Sequence, residues 1–260
     1  LVKAANWLNH LEYDWQSPVW RHLFRALAKD RLLVRYDARG NGLSDWEVED
    51  ISFEAFVQDL ETVVDAVALK RFALFGISQG CAASIKYAIQ HPERVLCLVL
   101  YGGYARGGFH RGSPDEIERS RALSALVRQG WGQENPAFRQ MFSSLLIPDA
   151  SPEQMQWFND LQRVSASPEN AIRIREAYDD INICDDLPAV SVPTLVLHCR
   201  NDAAVPFEEG RRMAGMIPGA KFVPLEGQNH LILQDEPAWP RFLEEVRGFL
   251  GEFLDSVPNS

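Results

Sequence analysis

Residues 71–90, Arg71-Phe-Ala-Leu-Phe-Gly76-Ile77-Ser78-Gln79-Gly80 followed by Cys81-Ala-Ala-Ser-Ile-Lys-Tyr-Ala-Ile-Gln90, join an apolar run directly to a helical pattern through Gly-Ile-Ser-Gln-Gly. The run Arg71–Ile77 reads as a buried strand and Gly80–Gln90 as a helix that stops before His91-Pro92. A strand and a helix that meet with no intervening loop must turn sharply, and the residue at the turn is forced into a strained backbone with its side chain pushed out of the sheet top. Only small residues two positions to either side allow the two elements to cross so closely, and Gly76 and Gly80 stand there. The five-residue pattern alone would arise by chance roughly 0.1 times in a chain of this length. Its placement between strand and helix is what gives it meaning.

The same alternation continues on both sides. Upstream, Leu1–Ala5 reads as a strand, Trp15–Lys29 as an amphipathic helix and Arg31–Tyr36 as a second strand. The loop Asp37-Ala-Arg-Gly-Asn-Gly-Leu-Ser44 follows, and then the helix Phe53–Val67, with Ser52 placed to cap it. Downstream come the strand Val95–Tyr101, the strands Thr194–Cys199 and Lys221–Leu225 separated by the helix Phe207–Met216, and a closing helix Trp239–Phe253. Strands alternating with helices predict βαβ units and a mostly parallel central sheet flanked by helices, an α/β fold. The rhythm breaks between Gly102 and Asp186, where charged and aromatic residues (Trp131, Phe138, Phe142, Trp157, Phe158) replace strand signals. The expected organisation is a core domain of residues 1–106 and 187–260 with a helical cap inserted at 107–186.

A serine hydroxyl is a poor nucleophile until a base takes its proton, and an imidazole in that role needs a carboxylate to fix its tautomer. In an open α/β sheet both partners belong at the carboxyl ends of later strands. Asp202 follows the strand Thr194–Cys199 through Arg200-Asn201, and His230 follows Lys221–Leu225 through Glu226-Gly-Gln-Asn229. Asp185, Asp186, Glu226 and Asp235 are the rival acids, less well placed relative to the strand ends. His10, His22, His91 and His110 fall in helix or loop contexts without a matching acid, and His198 sits inside a strand, where a core role is expected.

The stretches Gly76–Gly80, Pro193-Thr-Leu-Val-Leu-His-Cys-Arg-Asn-Asp202-Ala-Ala-Val-Pro206, Gly227-Gln-Asn-His230 and Asp37–Asp45 together resemble the α/β-hydrolase superfamily over nearly the whole chain. The resemblance implies the α/β-hydrolase fold with a helical cap, and a catalytic triad of Ser78, Asp202 and His230 in the chain order this fold uses. It implies that Asp37 and Arg39 are structural, and it implies no metal and no organic cofactor. Two departures stand out. The superfamily usually has His-Gly where this chain has Ala5-Asn6-Trp7. The oxyanion-hole donor there is a backbone group, so the expected pair is the N–H groups of Trp7 and Gln79. The resemblance also implies two further strands ahead of Leu1, and the absence of an initial methionine suggests residues preceding it.

The remaining features bound the function. A formal net charge of -10 argues against a nucleic acid partner. No apolar run approaches the roughly 18 residues of a membrane span, and without a signal-peptide pattern the default compartment is cytoplasmic. The four cysteines form no CxxC pair, and three sit in apolar stretches as small buried hydrophobes. Oligomeric state leaves no mark on the sequence. The expected activity is hydrolysis of a small carboxylic ester or lactone through an acyl-enzyme on Ser78. Trp131 and Trp157 are expected in the substrate pocket under a mobile cap, whose mixed charges read as a solvated face. A rival reading is a ligand sensor that keeps the triad and turns over slowly or not at all.

Overall fold

The computed structural model describes residues 1–254. Its centre is a five-stranded sheet, β1 (Val2–Lys3), β2 (Phe72–Ile77), β3 (Val95–Tyr101), β4 (Thr194–Cys199) and β5 (Lys221–Leu225), in that spatial order and parallel throughout. Successive side chains leave opposite faces of a strand. In β2, Ala73, Phe75 and Ile77 enter one apolar cluster while Phe72 and Leu74 enter the other. Both faces are covered, which is why the strands read as continuous apolar runs.

On the first face lie α2 (Arg21–Ala28) and α10 (Ala238–Leu254), which bring Leu23, Phe24, Phe242 and Val246 onto the strands. On the second lie α3 (Phe53–Ala66), α4 (Gly80–Gln90) and α9 (Phe207–Met216), through Leu60, Val64, Ile85 and Met213. Ser52 caps α3 by accepting the Ala55 N–H at 3.2 Å.

Two expected elements differ. The helix foreseen over Trp15–Lys29 is two helices, α1 (Leu11–Gln16) and α2, because Pro18 has no N–H to continue the first and Ser17 ends it. The Ser17 hydroxyl accepts the Val19 N–H at 3.1 Å and starts the next turn. The strand foreseen over Arg31–Tyr36 is a single parallel bridge between Val34 and Val2. Val34 exchanges bonds with Leu1 and Lys3, both 2.9 Å; Leu33 packs on the first cluster and Val34 and Tyr36 on the second, while Leu32 is 68% exposed and the pairing stops at that one bridge.

Between β3 and β4 the chain builds four helices, α5 (Pro114–Gly130), α6 (Pro136–Leu146), α7 (Pro152–Ser165) and α8 (Pro168–Asp179). Each starts the same way: Ser113, Asn135, Ser151 or Ser167 caps it by side-chain oxygen, and a proline follows as the first helical residue. Proline suits that position because its missing N–H would have had no intrahelical acceptor. The four helices are bonded to core loops at several points. Asn170 Nδ2 donates to Gly40 O and Trp46 O, Arg173 donates to Val48 O and Glu49 O, and the Gly42 N–H donates to Ser165 O.

One core contact makes stability depend on pH. His22 of α2 is buried and donates Nε2–H to Ile232 O at 3.1 Å. Burial holds its imidazole down to about 4, against the opposing pull of the Ile232 carbonyl and Asp235. The folded state therefore binds fewer protons than the unfolded one between about 4 and the unperturbed value near 6.5. The contribution is present above the unfolded value and is lost as pH falls through this window. His22→Gln should lose about 2 kcal/mol less stability than the parent on going from pH 7 to pH 4.5. Urea midpoints at the two pH values measure this, and parallel losses in the two proteins would refute it.

Candidate active site

The turn from β2 into α4 has the geometry its sequence foretold. Ser78 sits at φ +53°, a left-handed backbone uncommon for a residue with a side chain, and its N–H donates to Tyr101 O at 2.9 Å on the neighbouring strand. A Cβ on Gly76 would lie 2.7 Å from the Cys81 Cα, and one on Gly80 would lie 2.9 Å from Ala5 O. Both glycines are therefore required by close backbone approach, the first of helix to strand and the second of α4 to the end of β1.

The acid is placed by the turn after β4. Asp202 Oδ1 accepts the N–H groups of Ala204 and Val205, each at 2.9 Å, and Oδ2 accepts Nδ1–H of His230 at 2.7 Å. Both side chains are 2% exposed. Burial alone would raise the Asp202 carboxyl. The adjoining His230 imidazole, with lesser help from His198 and the Val205 N–H, outweighs it and holds the group below the ordinary carboxylate value. His198, inside β4 as expected of a core residue, donates Nε2–H to Val205 O at 3.0 Å and lies 3.5 Å from Asp202 Oδ2.

The imidazole is placed partly by the inserted helices. Leu146 O, at the end of α6, accepts the N–H groups of His230 and Leu231 at 2.8 and 3.3 Å. Asn229 spans the same junction, accepting the Asp149 N–H at 3.0 Å and donating to Glu236 Oε2 at 3.2 Å. Burial pushes the Glu236 carboxyl up to about 7, against the Leu233 N–H and Asn229 bonds that favour its charge. The rival acids stand elsewhere: Asp185, Glu226 and Asp235 are exposed, Glu226 on Arg200 at 2.8 Å, and Asp186 pairs with Lys86 at 2.8 Å.

Trp7 and Gln79 are adjacent, since Gln79 Nε2 donates to Trp7 O at 3.0 Å, and both border the cavity at Ser78. The Ala5-Asn6-Trp7 turn is anchored by the buried Lys3, whose ammonium donates to Asn6 Oδ1 and to Ala4 O. Nothing in the sequence pattern pointed to Lys3, a lysine inside an apolar strand. Asp37 accepts the N–H groups of Leu11 and Leu43 and the Asn9 amide, while Arg39 forks onto Asp59 at 2.7 Å, so the pair ties the 37–45 loop to its surroundings.

Ser78 and His230 line one cavity of about 150 Å³. Its apolar wall includes Trp7, Phe142, Leu145, Leu146 and Leu231. A cavity of this order holds roughly a benzene-sized group. The pocket positions expected for Trp131 and Trp157 are corrected here, because neither borders the cavity. Trp131 is buried behind Trp7, stacked on it at 5.1 Å with its indole N–H on Ala166 O at 3.0 Å. Trp157 lies on α7, which contributes nothing to the wall, and packs on Tyr13 at 4.2 Å. The aromatics of the inserted helices that reach the cavity are Phe142, two turns along α6, and Tyr178 of α8, together with charged residues of α5 and α8. The spacing of Phe142 against Leu145 and Leu146 is an apolar helix face and was visible in the sequence.

The model of the alpha/beta hydrolase family matches residues 6–239. A putative carbamate hydrolase, RutD of Klebsiella pneumoniae, is 26% identical over 81% of this chain and 79% of its own. Among solved structures, the esterase EaEST from Exiguobacterium antarcticum superposes with a TM-score of 0.79 at 24% identity, over 96% of this chain and 90% of that one. The enol-lactonase from Burkholderia xenovorans LB400 gives 0.77 at 23% identity with the same coverage.

Proposed function

The chain belongs to the alpha/beta hydrolase family, and on that premise we propose that it is a serine hydrolase of small carboxylic esters or lactones. Ser78 is the nucleophile, His230 the general base, Asp202 the group that orients it, and residues 107–186 the cap that sizes the substrate. Ser78 Oγ attacks the carbonyl carbon while His230 Nε2 takes its proton, and the negative oxygen is held by the N–H groups of Gln79 and Trp7. His230 then gives the proton to the leaving alcohol, or to the ring oxygen of a lactone. Water, deprotonated by His230, releases the acid and restores Ser78. The single observation that carries this reading is the buried 2.7 Å bond from His230 Nδ1 to Asp202 Oδ2, on the wall of the cavity that holds the strained Ser78. The esterase and the enol-lactonase named above support the bond type, and the carbamate hydrolase marks a neighbouring chemistry to include in any screen.

A panel of p-nitrophenyl esters from acetyl to octanoyl, small lactones and a carbamate tests the reading. Short esters or lactones should give the highest kcat/KM, since the cavity takes roughly a benzene-sized group. Phe142→Ala should raise the ratio of hexanoyl to acetyl turnover by about tenfold, the worth of about one methylene in an apolar pocket. Turnover below about one per minute on every substrate, well under the usual enzyme range, together with tight binding of an unhydrolysed ligand, would favour a sensor instead.

A further inference from the structure

We propose that the substrate carries a carboxylate away from the bond that is cleaved, and that Arg111 and Arg119 recognise it. This deepens the hydrolase reading above and rests on it. The cavity wall holds three guanidiniums, Arg111, Arg119 and Arg175, and two carboxylates, Glu116 and Asp179. A cationic excess at this spot is set within a chain of net charge -10.

The two acids are already engaged. Asp179 pairs with Arg175 at 3.1 Å and accepts from the Ser124 hydroxyl at 3.4 Å. Glu116 closes the capping box of α5, its Oε2 accepting the Ser113 N–H at 3.3 Å and the Ser113 hydroxyl at 3.0 Å. Asp202 is turned inward onto His230 and two backbone N–H groups. Among the described residues the ion pairs near this wall belong to other arginines, Arg106 on Glu209 and Arg175 on Asp179, and none forms on Arg111 or Arg119. Among the described residues each guanidinium makes one hydrogen bond, to a backbone carbonyl: Arg111 Nε to Arg106 O at 3.4 Å and Arg119 Nη2 to Ala203 O at 3.3 Å. A guanidinium has five N–H donors, so most of each fork is free for a ligand.

Each fork also has a contact that orients it toward the cavity rim. The Arg111 guanidinium lies 4.9 Å from the centre of the Tyr104 ring, itself buried and on the cavity wall. Stacking on a ring leaves the edge N–H groups pointing outward. Arg119, exposed on α5, is tethered by its bond to Ala203 O, the residue that follows Asp202, beside the turn that carries the acid. Pre-oriented planar donors match a carboxylate in bidentate fashion, and the apolar wall around Phe142 and Leu146 suits the carbon chain between the two ends.

The test compares esters with and without a remote carboxylate: mono-p-nitrophenyl glutarate with p-nitrophenyl valerate, and 4-carboxyphenyl acetate with phenyl acetate, each rate divided by its rate of alkaline hydrolysis. In at least one pair the charged member should have the higher kcat/KM by about tenfold or more, the worth of a hydrogen bond to a charged group. Arg111→Gln combined with Arg119→Gln should abolish that ratio through KM, and the double lysine variant should restore part of it. Added salt should raise KM for the charged ester more than for the neutral one. A preference for the neutral member in both pairs, or an equal loss on both members in the glutamine variant, would overturn the proposal. If no ester is turned over, the hydrolase reading fails separately, and calorimetric titration with glutarate decides the anion site. Equal or absent binding to the parent and the glutamine variant would then overturn it.

Discussion

Replacing Ser78 with alanine is expected to lower kcat by about 10⁴-fold or more while leaving the fold intact. The loss is large because the triad works as a unit: without Oγ there is no acyl-enzyme, and His230 has no proton to take. The fold should survive because the hydroxyl is not what sets the turn. The backbone is held at φ +53° by the Ser78 N–H bond to Tyr101 O and by the close crossing at Gly76 and Gly80, all of which alanine retains. Steady-state kinetics on the best ester and a thermal melt measure the two halves of this expectation. A variant with parental turnover would remove Ser78 from the mechanism.

Asp202→Asn should cost kcat on the order of 10⁴-fold with little loss of stability. An asparagine oxygen can still accept the Ala204 and Val205 N–H groups, so the turn after β4 keeps its bonds. Its amide NH₂ then faces His230 Nδ1, which must become the acceptor, and the proton moves to Nε2. An imidazole in that tautomer cannot take the serine proton. Glu226→Gln is the matched control, since Glu226 is exposed and bonded to Arg200 at the surface. Full activity in Asp202→Asn with loss in Glu226→Gln or Asp185→Asn would mean that the acid is misassigned.

What the sequence could convey depended on how local each feature is. The elbow was legible because its requirements, small residues two positions either side of Ser78, are written within five residues. The buried strands β2, β3 and β4 were legible because a sheet covered on both faces demands unbroken apolar runs. Arg31–Tyr36 has a similar run, and how far it pairs depends on the neighbouring strand, which here offers only the two residues of β1. The four helices between β3 and β4 each announce their start with Ser-Pro or Asn-Pro, a local signal present at 113, 135, 151 and 167.

The site divided along the same line. Ser78, Asp202 and His230 follow from strand ends, and the structure brings Asp202 and His230 into contact and puts His230 and Ser78 on one cavity. Which aromatics of the inserted helices reach that cavity is decided by how α5 to α8 lie over the sheet, and no local pattern states it. Trp131 therefore stands one layer behind Trp7, and Phe142 and Tyr178 take the wall. The Leu146 carbonyl beneath His230 is equally invisible in sequence, since every residue carries one. Arg111 and Arg119 look like solvated charge until their neighbours are known.

Covalent labelling reads out whether Ser78 is an activated nucleophile in the free protein. A small fluorophosphonate, incubated with the parent and with Ser78→Ala and followed by intact-mass and peptide mass spectrometry, should add one adduct per parent chain, on Ser78, and none to the variant. Asp202→Asn should be labelled far more slowly than the parent. A parent chain that stays unmodified, or an adduct on any residue other than Ser78, would contradict the account.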